Sequence, residues 1–218
     1  MSVATQLAQV KESIPPWVHL VAVSKTKPIS VLQEAYDAGQ RIFGENRVQE
    51  MVEKWEALPK DIQWHMIGHV QTNKIKYMAS FVTLIHGVDS LKVLLAIDKQ
   101  AKKHRRIIPC LLQIHIAAEE TKFGFDEDEL LKIIDSETFK ALRHVQIKGL
   151  MGMATFTENK DQIRREFKGL KALYARIAKR LPEVEILSMG MSGDYQIAIA
   201  EGSTMVRIGS SIFGDRTL

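Results

Sequence analysis

Lys25 ends a short apolar run, His19-Leu20-Val21-Ala22-Val23-Ser24, and Thr26-Lys27-Pro28 follows it. The run reads as a buried strand with an amine at its C-terminal tip. A partly desolvated amine gives up its proton readily, attacks carbonyls and forms Schiff bases. In a parallel α/β barrel that end of a strand is also where ligands sit. Two further segments carry a different chemistry. Ser188-Met189-Gly190-Met191-Ser192-Gly193-Asp194 and Arg207-Ile208-Gly209-Ser210-Ser211 are rich in small residues, and each precedes an expected helical turn. Small residues let backbone N–H groups approach an anion, and a helix start adds a positive field. One such loop alone would read as a tight turn. Two of them, after the last two strands and opposite a strand-end lysine, read as a phosphate site.

Arg207 lies between Val206 and Ile208, within or at the end of a strand. A buried arginine needs a partner. The choices are a carboxylate inside the barrel or a ligand acceptor such as a pyridine ring nitrogen. His65 and His86 stand at the expected ends of the third and fourth strands. Both read first as satisfied core histidines and second as bases. They form no recognisable metal set, and the single cysteine gives no zinc pattern. No nucleophile elbow, Walker loop or EF-hand is present.

The elements that must position these residues alternate along the chain. An amphipathic N-terminal helix carries Val3, Leu7 and Val10 on one side. Strands are expected at residues 20–24, 41–43, 62–66, 81–85, 107–116, 146–151, 184–187 and 204–208. Helices follow at 29–38, to about Leu58, near 73–79, after Ser90, from Asp126, and at 195–200. The clearest helix carries Ile163, Phe167, Leu170, Leu173, Tyr174 and Ile177 at spacings of three and four. Pro28 suits a first turn and Gly39 a helix end. Such alternation implies a parallel sheet with right-handed crossovers. Eight repeats favour a single (β/α)8 barrel over residues 1–218. An open dinucleotide-binding sheet lacks its support, because no G-x-G-x-x-G follows the first strand.

Composition excludes some classes of function. The chain has 218 residues, 45% hydrophobic and 26% charged, as in ordinary globular proteins. No run is apolar for long enough to span a bilayer, and residues 1–11 contain no apolar h-region, so no secretory signal is expected there. Cys110 is the only cysteine, so no internal disulfide forms, and it reads as a packed thiol of a cytoplasmic protein. Net charge is a mild +4. The basic cluster from Lys99 to Arg106 closes a helix and lacks interleaved aromatics, so it reads as a solvated helix end rather than a nucleic-acid patch.

A Schiff-base lysine with a phosphate cradle suits two kinds of ligand. One is a phosphorylated sugar in an aldolase. The other is pyridoxal 5′-phosphate (PLP), its aldehyde held by Lys25. The pairing with Arg207 favours PLP, since a guanidinium facing the pyridine nitrogen would disfavour its protonation.

The residues also resemble a known family. Ala22-Val23-Ser24-Lys25-Thr26-Lys27-Pro28, Phe43-Gly44-Glu45-Asn46 and the segment from Trp64 to Lys74 carry the resemblance. Lys122-Phe123-Gly124-Phe125, Gly149-Leu150-Met151, Leu187 to Ser192 and Val206 to Gly214 extend it in order along the chain. The sequence is similar to the pyridoxal phosphate homeostasis proteins, relatives of the alanine racemase barrel domain. That resemblance implies a type III PLP fold without the C-terminal β domain of alanine racemase. It implies that Lys25 forms the internal aldimine, that Ser192, Gly209 and Ser210 surround the phosphate, that Arg207 meets the ring nitrogen and that Asn46 lies near the ring. It also implies a cofactor carrier that keeps free PLP low and passes it to apoenzymes, rather than a catalyst with a catalytic residue of its own. The alternative is a PLP enzyme such as a weak amino-acid racemase. The expected absence of a second domain would remove the tyrosine base of alanine racemase and leave one face of the barrel open to water.

Overall fold

The computed structural model describes residues 1–119 and 123–214. Eight parallel strands close into one barrel in chain order. They are β1 (His19–Val23), β2 (Ile42–Glu45), β3 (Gln63–Met66), β4 (Leu84–Val88), β5 (Ile108–Ile114), β6 (Val145–Gly152), β7 (Ile186–Met191) and β8 (Met205–Ile208). The first and last strands pair in register, with Val21 beside Arg207 and Ala22 beside Ile208, which seals the barrel. This is the (β/α)8 architecture that the alternation predicts.

The outer helices begin where local chemistry says they should. α1 (Val3–Glu12) opens with the Ser2 hydroxyl accepting the Thr5 N–H. α2 (Ile29–Asp37) starts after Pro28, and Gly39 beyond it takes φ +87°, the left-handed geometry of a helix end. α3 (Val48–Ala57) covers β2, and α4 (Ile75–Met78) extends a 3₁₀ turn at Thr72–Lys74. Ser90 caps α5 (Leu91–Lys103), Asp126 caps α6 (Glu127–Asp135) and Asn159 caps α8 (Lys160–Ala178), each through its side-chain oxygen. α7 (Glu137–Lys140), α9 (Tyr195–Ala200) and α10 (Ser210–Phe213) are short. α7 is absent from the sequence expectation: four residues are too few to show a helical period.

Three strands lie later than the apolar runs suggest. β2 includes Gly44 and Glu45. β4 begins at Leu84 because the Phe81 and Val82 N–H groups still bond to the Met78 carbonyl, closing α4. β7 begins at Ile186 because the Val184 N–H bonds to Leu181 in the preceding turn. Phe81 is no strand residue at all; it stacks on Trp55 of α3 at 4.3 Å between ring centroids.

The main core lies between barrel and helices, with Trp64, Phe43, Phe167 and Leu32 fully buried. A second, smaller cluster of Val21, Leu84, Leu111, Met151 and Met205 fills part of the barrel itself. Cys110 is buried, and desolvation pushes its thiol well above the usual range, as a packed thiol requires. In the basic cluster, Arg106 donates to the Ala79 and Val82 carbonyls, so part of that charge serves as a helix cap. Among the described residues no helix is long and apolar enough to cross a membrane.

Candidate functional site

The barrel brings the expected site residues to the C-terminal ends of β1, β2, β7 and β8. Lys25 is half-buried in the turn two residues past β1. Asn46 directly follows β2, whose Gly44 pairs with Val23. Its Oδ1 is buried and has no hydrogen-bond partner among the described residues. Gly68, in the loop after β3, presses on the Asn46 backbone so closely that a Cβ there would lie 2.6 Å from the Asn46 carbonyl oxygen. A buried acceptor without a donor is costly, and it marks a place where a ligand donor or a water would bond.

Ser192 and Gly209 meet across the mouth: the Gly209 N–H donates to the Ser192 hydroxyl at 3.3 Å. This joins the two Gly/Ser loops into one structure. Asp194 tightens the first loop by accepting the Met191 N–H at 2.6 Å. Gly190 adopts φ +99°, and a Cβ would lie 2.6 Å from that of Ala198, so only glycine lets β7 pack on α9 there. At Gly209 a Cβ would sit 3.1 Å from the Val23 carbonyl oxygen. Gly209 therefore abuts the strand that leads to Lys25. Ser210 and Ser211 begin α10, where backbone N–H groups have no carbonyl a turn earlier to bond to. Lys27 is committed elsewhere, donating to the Phe213 and Gly214 carbonyls. Lys122 lies outside the described residues.

Arg207 is buried inside the barrel. It donates to the Ser188 carbonyl at 2.9 Å, the Ser188 hydroxyl at 2.5 Å and the Gly152 carbonyl at 3.0 Å. None of these partners is the carboxylate that one reading of the sequence offered. Burial pulls the guanidinium down to about 10, with Asp194 opposing, so it stays charged at neutral pH.

His65 and His86 extend this network. His86 Nδ1 lies 3.1 Å from the Ser188 hydroxyl and its Nε2 lies 3.0 Å from His65 Nδ1. Arginine can only donate, so the assignment that gives each proton an acceptor runs one way. Arg207 donates to Ser188, Ser188 to His86 Nδ1, and His86 Nε2–H to His65. Both imidazoles are then neutral. Burial is the first cause in each, holding His65 down to about 3 and His86 well below the usual histidine range. Both are core histidines, as preferred from sequence, yet they also support the site arginine. The sequence reading places Ser188 only at the start of a Gly/Ser loop and misses its link between Arg207 and His86. Its signal was the period-two pattern of Leu187 and Met189 facing the helices while Ser188 between them faces inward. That pattern is lost once β7 is ended at Leu187. Among the described residues no group of three His, Cys, Asp or Glu side chains could hold a metal ion.

This constellation, on a closed parallel barrel, defines a class. The model of the alanine racemase N-terminal domain family matches residues 2–217, and the chain belongs to that family of barrels. Within it the chain belongs with the pyridoxal phosphate homeostasis proteins. It is 40% identical to the one from Aquifex aeolicus over 90% of this chain and 86% of that protein. It is 39% identical to the one from Synechocystis, covering 96% of each. Among solved structures it is similar to PipY of Synechococcus elongatus with PLP bound, with a TM-score of 0.89 at 35% identity, covering 98% of this chain and 100% of that one. An alanine racemase of Clostridium difficile, at 14% identity and a TM-score of 0.77, shares the fold over 57% of its own length.

Proposed function

We propose that this protein binds PLP at the barrel mouth, with Lys25 holding the aldehyde, and that it serves PLP homeostasis as a carrier rather than as a committed enzyme. The observation that carries the reading is the meeting of the Lys25 turn, the Ser192–Gly209 contact and Arg207 at one end of one barrel. The donor set fits the group. Ser192, Gly209 and Ser210 offer hydroxyls and close backbone N–H groups to a phosphate. Arg207, a donor only, suits an unprotonated ring nitrogen. The Asn46 Oδ1, buried and without a partner among the described residues, suits a donor near the ring. PipY, solved with PLP bound, gives independent support through 35% identity over nearly the whole chain.

PLP supplies an aldehyde for an amine and a ring that can accept electrons. The protein's own contribution here limits the second property. Arg207 stays charged despite its burial, with its guanidinium donating to the Ser188 and Gly152 carbonyls rather than to a carboxylate. A cation at the ring nitrogen opposes protonation of the ring and so weakens it as an electron sink. This favours holding and releasing PLP over catalysis. PLP-dependent apoenzymes are the recipients in this reading, residues 1–218 act as one domain, and the free Cys110 suits the reducing cytoplasm.

The experiment is spectroscopic. Protein loaded with PLP should show a visible band that borohydride removes, with the reduced label mapped to Lys25. Lys25→Ala should lose the band while remaining folded. Protein that takes up no PLP would refute the reading. Incubation with single-enantiomer alanine or serine should leave optical rotation nearly unchanged; rapid racemisation would make the protein an enzyme instead of a carrier.

A further inference from the structure

The turn that carries Lys25 is held from outside the barrel by three charged residues to which the ligand reading gives no part. Glu45 is the last residue of β2, and Glu50 and Lys54 lie one turn apart on α3. Lys54 is buried, with its side chain 5% exposed. Its ammonium donates to the Ser24 carbonyl at 2.8 Å, to Glu45 Oε1 at 2.7 Å and to Glu50 Oε1 at 2.7 Å. The Ser24 hydroxyl donates to Glu45 Oε1 at 2.6 Å. The Thr26 N–H donates to Glu50 Oε1 at 2.6 Å.

Three of these five bonds therefore end on Ser24 or Thr26, the two neighbours of Lys25. A set that served only to fasten α3 to the barrel would have no need of them. Thr26 adds a second observation. Its φ is +64°, in the left-handed region that a β-branched residue rarely enters. Such strain persists only where the surroundings impose it, and the Glu50 carboxylate is the group that meets this N–H. The strained residue sits next to the lysine. Charge-assisted bonds of this kind are stronger than neutral ones and hold geometry well. Burial raises the Glu45 carboxyl above the usual range and Glu50 adds to that shift, while Lys54 and Ser24 oppose it.

We propose that Glu50, joined to Glu45 through Lys54, is a positioning residue that fixes the Ser24–Thr26 turn so that Lys25 is preset for its ligand. The proposal rests on the reading that Lys25 holds PLP. The test titrates the whole protein with PLP and reads half-saturation of the visible, borohydride-sensitive band, with urea midpoints recorded in parallel. Glu50→Ala should stay folded and raise half-saturation roughly tenfold, which corresponds to about 1.4 kcal/mol. Glu50→Gln keeps an acceptor at the same reach and should recover most of that loss. Glycine enters the left-handed region without strain. The Glu50→Ala change should therefore cost clearly less in a Thr26→Gly background, a coupling that a double-mutant cycle reads directly. Folded Glu50→Ala protein with unchanged half-saturation, or equal losses in both backgrounds, would overturn the proposal. A wild-type protein without a Lys25-linked band would instead overturn the ligand reading beneath it.

Discussion

His65 and His86 sit inside the barrel as neutral imidazoles, and this makes the fold sensitive to acid. In the unfolded chain each histidine takes up a proton near pH 6.5. In the folded barrel His65 does so only near 3, and His86 well below its usual value, because burial penalises the charged ring. Below pH 6.5 the unfolded state thus binds more protons than the native one, and stability falls as pH falls. The loss should approach about 1.4 kcal/mol per pH unit for each histidine between pH 6.5 and the folded value. Glu45 works the other way. Its raised pKa means the native state keeps a proton longer, which favours folding at pH below its unfolded value and disfavours it as pH rises through the folded one. That partial offset acts on one group, against two histidines. Urea unfolding at pH 7.5, 6 and 5 should show a clear decline, and His65→Asn should flatten it by about one proton. Equal unfolding free energies across this range would mean that the histidines are charged or exposed in the native protein.

At the scale of elements, the seams between strands decide what the site can be. Gly149 in β6 faces Ile186 of β7 so tightly that a Cβ would lie 1.7 Å from the Ile186 carbonyl oxygen. Backbone cannot step aside as a flexible side chain can. Gly149→Ala should therefore part β6 from β7 and destabilise the barrel by about 3 kcal/mol or more, at the upper end for overpacking. A urea midpoint like that of the wild type would show that the seam can shift. The same seams explain what the sequence could and could not reveal. The alternation of apolar runs and helical periods carried the barrel, and strand-end logic located Lys25, Ser192, Gly209 and Ser210. The starts of β4 and β7 were hidden, because Phe81, Val82 and Val184 are as apolar as strand residues but belong to helix ends and turns. With both strands read early, His86 appeared at a tip and Ser188 in a loop, and their link to Arg207 could not be seen. The clamp on Lys25 was hidden for another reason. Glu50 and Lys54 stand at a spacing of four, which on a helix usually means an exposed ion pair of little consequence. Only packing against Glu45 makes it a buried one.

For the whole molecule, the mouth ties together the first and last strands of a closed barrel, so a ligand there acts on global stability. Lys25 and Asn46 belong to the β1 and β2 ends, while Ser192, Gly209 and Ser210 belong to β7 and β8. Any global unfolding must separate these loops and release what they hold. A ligand that binds only the native state at a hundred times its dissociation constant adds about 2.7 kcal/mol. For a domain of this size, each kcal/mol raises the melting temperature by about 2–4 °C. Saturating PLP should therefore raise it by roughly 5–10 °C. Lys25→Ala would remove the proposed covalent hold and should leave the Ser192–Gly209 contact and Arg207 in place, since Gly209 bonds to Ser192 and Arg207 to the Ser188 and Gly152 carbonyls. At the same PLP concentration that variant should show a smaller but measurable rise, and inorganic phosphate should compete it away. A full rise in Lys25→Ala would mean that the lysine contributes nothing to retention. No rise at all would mean that the loops after β7 and β8 do not bind the phosphate alone. The intermediate result is the one a carrier needs: a covalent hold on the aldehyde, and a separate, weaker grip from which PLP can leave once that hold is broken.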